Sequence, residues 1–281
     1  MKKSIFFPVL IVCAFILSSC SSDEKINVVD EQTKTAFDDV KANVMALNVE
    51  TFGQIRKPET RARWWKWLVT IAVDAGAGFG TGNAAVGISA STLTWTMLKS
   101  ENVKNQSIHP AEVSMEHIAL EKLNYITSDI DMGYVHNKVL VTMYEKYGES
   151  MFSFSNETLV SLVNKEVAAL TGQELSSLEL QPSYVLSETK KYIDAFDPNG
   201  TIEEYFSNIK RFVPLVRHAE LDVLEVVMDG LLQVDIDTDN GKYASNVITI
   251  VNNSNLTITQ KNNIINGVSI GNASRRLWVV E

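Results

Sequence analysis

Cysteine is nearly absent. The chain of 281 residues has two, Cys13 and Cys20, both close to the N-terminus. Everything after Cys20 lacks a thiol, which excludes a disulfide framework, thiol catalysis and a cysteine metal site from that part of the chain. Proline is scarce at six residues, so few positions force a helix to break. Basic residues are outnumbered, 25 against 34 acidic, for a net charge of −9 with no clustered basic stripe. Phosphate neutralisation supplies most of the affinity for nucleic acid, so that class of partner is excluded. No repeat of fixed period is visible.

What is present begins with a targeting segment. Lys2 and Lys3 form a positive n-region, residues 5–17 an apolar h-region, and Leu17-Ser18-Ser19-Cys20 closes it. The segment is too short to span a membrane and ends in small residues, as a secretory signal does. The closing tetrapeptide is similar to a bacterial lipobox, which implies that Cys20 becomes the lipidated first residue of the mature chain. Loss of Lys2 and Lys3 leaves 23 basic against 34 acidic residues, a mature charge of −11. Residues 1–19 are thus expected to be a lipoprotein signal peptide, 20–32 an acidic polar tether, and 33–281 a single helical domain large enough to bury its own core.

Apolar residues recur along this domain at spacings of three and four, the period of a helix with one buried face. Phe37, Val40, Val44, Leu47 and Phe52 place a helix over 33–56, stopped by Pro58. Residues 100–108 read as a loop, and Pro110 suits the first turn of a new helix. Asp129 opens a helix that Gly148 terminates. Ser155 caps the next, which Gly172 ends, and 182–196 is another. Thr201-Ile202-Glu203-Glu204 matches a capping box, and a helix resumes over 220–234 after Pro214. Residues 245–258 are ambiguous, because Val247-Ile248-Thr249-Ile250-Val251 has strand composition and no second clear strand exists to pair with it. Residues 257–268 read as helix, and the tail predicts a last helical turn docking Trp278. The whole implies an all-α, multi-helix bundle.

Residues 61–98 are the stretch the bundle must accommodate. Arg61, Arg63 and Lys66 alternate with Trp64, Trp65 and Trp67. Asp74 follows, and then 24 residues, 75–98, carry no charge. Ala72, Gly76, Gly80, Ala84, Gly87 and Ser91 would form a small-residue stripe on one helix, the pattern that lets helices approach closely. Each glycine inside a helix costs about 1 kcal/mol relative to alanine, so Gly76, Gly78, Gly80 and Gly82 could instead turn the chain. The expected centre of the bundle is therefore a Gly/Ala-rich helix or a helical hairpin. At 1.5 Å per residue the uncharged run would reach about 36 Å as a helix, long enough to cross a bilayer. It is poor in the large aliphatic residues that favour insertion, and Asp74 would be costly in lipid.

Residues that could carry chemistry are few. Gly133, His136, Asn137 and Leu140 fall on neighbouring rows of one helix. A His–Asn pair could orient a substrate or a metal, but a metal needs three or four ligands. His109, His117 and His218 lie elsewhere, none four residues from His136. With Gly133 one turn earlier, a hydrogen-bonded helix crossing accounts for the pair as well. Asp74 could bind a cation or cap a helix, with no partner visible. Gly76 to Gly80 has no preceding strand and is not a nucleotide fingerprint. No serine lies in a nucleophile-elbow string. The acidic run Asp235 to Gly241 misplaces the ligands of a calcium loop. No metal or cofactor is expected beyond the lipid on Cys20.

The string Gly133-x-x-His136-Asn137-x-x-Leu140 resembles a signature of uncharacterised Bacteroidota envelope lipoproteins. Asp74 with its Gly/Ala run, and the tail with Ile264-Ile265 and Ser274-x-x-x-Trp278, are similar to the same group. The group has no assigned activity, so the resemblance implies kinship and location rather than chemistry. The acidic residues behind Cys20, Asp23 and Glu24, resemble its surface-export signal, which implies the outer membrane, facing outward. The leading expectation is a lipid-anchored, non-enzymatic binding or structural module of the cell envelope. Its partners would be the membrane, through the anchor, and an unknown envelope protein. The alternative is a membrane-active protein that inserts 67–98 as a pore former or toxin-like factor. An envelope hydrolase using His136 ranks third and requires that side chain to line an open cleft beside a carboxylate.

Overall fold

The computed structural model of the chain describes residues 31–53, 73, 76–77, 83–100, 108–110, 131–197, 200–235, 239 and 241–280. Cys20 and Asp74 lie outside them, as do Gly78, Gly80 and Gly82. The described chain is an all-α bundle of nine helices: α1 Glu31–Phe52, α2 Ala84–Ser100, α3 Met132–Tyr147, α4 Asn156–Thr171, α5 Pro182–Asp194, α6 Ile202–Ile209, α7 His218–Leu231, α8 Lys242–Asn252 and α9 Ile258–Leu277.

Most boundaries follow from local chemistry. Asp131 and Ser155 each accept a backbone N–H at the start of α3 and α4. Pro182 occupies the first turn of α5, and Thr201 with Glu204 forms the reciprocal capping box of α6. Gly172 ends α4 at φ +73°, where its N–H reaches the Ala168 carbonyl. Gly53 also sits at φ +73°, so α1 closes at Phe52, short of the expected residue 56.

α2 is the axis. Every residue from Ala85 to Trp95 is buried, on all sides of the helix. α3, α4 and α5 pack around it. Its start settles part of the helix-or-hairpin question. Asn83 is not helical, its Oδ1 accepts the Ala85 N–H at 2.8 Å, and its carbonyl accepts the Gly87 N–H. The chain is helical again at Val73, Gly76 and Ala77. The helix is therefore broken before Ala84 and capped there as an ordinary N-terminus. Thr92 and Thr96 return their hydroxyls to the carbonyls of Ile88 and Thr92, which lets a polar helix be enclosed. Trp95 fills the far end against Phe152, edge to face at 4.7 Å, and Tyr144 at 5.6 Å.

A second group of helices forms around α7, with α1, α6, α8 and α9 against it. α9 packs on both α7 and α3 and so joins this group to the α2 group.

One ambiguity is resolved and two expectations need correction. Val247 to Val251 is helical, within α8, despite its strand composition. Tyr243, Ala244, Val247, Ile248 and Val251 are the buried positions, spaced as one helical face, while Asn246 and Thr249 are exposed. Burial of that face overrides β propensity. The tail is helical only through Leu277, where α9 ends; Trp278–Val280 is a strand, β2, that continues from it. Pro110 lies not in a helical turn but in the partner strand, β1 Ile108–Pro110. The two pair antiparallel, Ile108 with Val280, His109 with Val279 and Pro110 with Trp278. Proline is tolerated at the end of so short a ribbon because no further ladder bond is required of it.

Candidate functional site

The structure brings three of the sequence-derived candidates, Gly133, His136 and Asn137, together at the crossing of α3 and α9. Gly133 comes closest to the partner helix. A Cβ there would sit 2.5 Å from both the backbone oxygen and the hydroxyl of Ser269. The missing side chain lets the Gly133 N–H donate to Ser269 Oγ at 3.2 Å, and Ser269 Oγ in turn donates to Asp131 Oδ1 at 2.8 Å. Asp131 also accepts the Tyr134 N–H at 3.1 Å. The N-cap of α3 is thus shared with the middle of α9.

One turn on, Asn137 Nδ2 donates to the Ala273 carbonyl at 2.9 Å, and Asn137 Oδ1 lies 2.8 Å from His136 Nδ1. A carbonyl only accepts, so Asn137 must turn its nitrogen to Ala273 and its oxygen to His136. His136 Nδ1 is then the protonated nitrogen. The His136 ring has no exposed area. It is a buried, hydrogen-bonded part of a helix crossing, and the open cleft that a catalytic role requires is not there. The spacing that suggested a site describes a joint between the two helix groups.

α9 makes a similar approach on its other face. A Cβ on Gly267 would meet Leu224 Cδ2 at 2.8 Å and one on Gly271 would meet Met228 Cε at 2.9 Å, both on α7. Glu220 strengthens this side. It is buried, accepts from Arg217 Nε at 3.0 Å and Asn263 Nδ2 at 3.2 Å, and burial pushes its carboxyl up against the pull of the Arg217 charge.

A third node joins α1, α7 and α8, and sequence reasoning missed it. Asn48 is fully buried; its Nδ2 donates to the Val226 carbonyl at 2.9 Å, and its Oδ1 accepts from Tyr243 Oη at 2.6 Å. Gly230 leaves the room, since a Cβ there would lie 1.9 Å from Tyr243 Oη. Beside it Asp229 is pushed up to about 6, chiefly by burial and then by Glu225 and Glu203. Burial likewise raises the Tyr243 phenol. Nothing in the sequence singles out Asn48, since it occupies an apolar position of α1 without any motif. Gly267-x-x-x-Gly271 could have been found by its small-residue spacing, but the surrounding Asn262, Asn263, Asn266 and Asn272 give α9 a polar look.

Among the described residues, no group of three or more His, Asp or Glu side chains could hold a metal ion. A shallow cavity of about 360 Å³ lies between α5 and α6, lined by Lys191, Asp194, Ala195, Asn208, Arg211 and Phe212. Compared with protein-family models, with curated proteins and with solved structures, the chain matches none.

Proposed function

We propose that the protein is a lipid-anchored, non-enzymatic module of the bacterial cell envelope, held on the outer membrane through Cys20 and acting by binding or by structural support. The lipobox-like Leu17-Ser18-Ser19-Cys20 behind its apolar segment carries the reading. The resemblance to Bacteroidota envelope lipoproteins agrees with it and suggests surface exposure. The buried state of His136 favours a structural module over a hydrolase, because substrate cannot reach a ring enclosed between two helices.

The alternative, insertion of 67–98 into a bilayer, requires α2 to leave its place between α3, α4 and α5. Among the described residues no helix is long and apolar enough to cross a membrane. Insertion would expose the apolar surface of those three helices, at about 25 cal/mol per Å².

Metabolic labelling with an alkyne palmitate in a Bacteroidota host tests the proposal. The wild-type chain should take the label and resist extraction by alkaline carbonate. Cys20→Ser should take no label and be released by carbonate. Equal labelling of both chains would remove the anchor from this reading.

A further inference from the structure

We draw no further inference here: the strongest candidate, the exposed apolar turn of Phe212, Leu215 and Val216 between α6 and α7 with the shallow cavity beside it, has its neighbouring cations Lys191, Lys210 and Arg217 paired with Glu188, Asp222 and Glu220, and nothing in the structure shows what covers it.

Discussion

Gly230 is the position where one added methyl group meets the hardest obstacle. Its Cβ would lie 1.9 Å from Tyr243 Oη and 2.5 Å from Asn48 Oδ1, two atoms already committed to each other. Gly230→Ala should lower stability by about 3 kcal/mol in urea unfolding, at the upper end of ordinary overpacking because a buried hydrogen bond must also shift. An unchanged midpoint would show that the node opens freely. Asp229, its neighbour, has a carboxyl raised from the ordinary 3.8 to about 6. The folded state therefore holds this proton more tightly than the unfolded chain. Its contribution is complete below 3.8 and is lost as pH rises through about 6. Asp229→Asn should raise stability on the order of 1–3 kcal/mol at about pH 8, and that gain should vanish below about pH 4. A gain independent of pH would show that charge is not its cause. His136 was legible in sequence as one of two things, a functional histidine or a helix-crossing residue, and spacing alone could not choose. Its partner, the Ala273 carbonyl bound through Asn137, is 136 positions from Asn137, and such pairings leave no local signal.

At the scale of elements, caps and turns were the most readable features. Ser155, Gly172, Pro182 and the Thr201–Glu204 box all act where local chemistry places them, because each satisfies backbone groups within a few residues of itself. α8 and the β1–β2 ribbon were not readable for the opposite reason. α8 is helical because its apolar face is buried against α1, α7 and α9, and the ribbon exists because residues 108–110 and 278–280 meet across most of the chain. α2 shows how a polar helix can be a core. Its threonine hydroxyls at positions 92 and 96 bond within the helix, but Ser89 Oγ and Thr94 Oγ1 are buried and have no hydrogen-bond partner among the described residues. Ser89→Ala and Thr94→Val remove those groups without changing shape much. Each should leave stability equal or raise it by about 1 kcal/mol, read as melting temperature. A loss beyond about 1 kcal/mol at either position would mean that the hydroxyl is satisfied in solution.

For the whole molecule, two helix groups share one joint. α2 with α3, α4 and α5 forms one group, α7 with α1, α6 and α8 the other, and α9 packs on both. The residues most suggestive of a site in the sequence, Gly133, His136 and Asn137, sit on that joint, so their spacing serves assembly. The bundle as a class was legible from helical periodicity throughout. That residues 85–95 of its Gly/Ala-rich segment are enclosed by protein was only one of two outcomes composition allowed, because small residues suit both a close helix contact and a lipid-facing stripe. Enclosure of α2 is the central claim, and Ser91, fully buried in the middle of α2, reports on it directly. Residues 21–281 contain no cysteine, so Ser91→Cys introduces a single thiol there. Maleimide labelling of this variant is followed in buffer, with phosphatidylethanolamine–phosphatidylglycerol vesicles, and in urea, alongside fluorescence quenching by a lipid-soluble quencher once labelled. The account predicts a thiol protected in buffer, equally protected with vesicles and reactive only in urea. A thiol that reacts in the native protein, or a probe that vesicles move into reach of the lipid quencher, would contradict it.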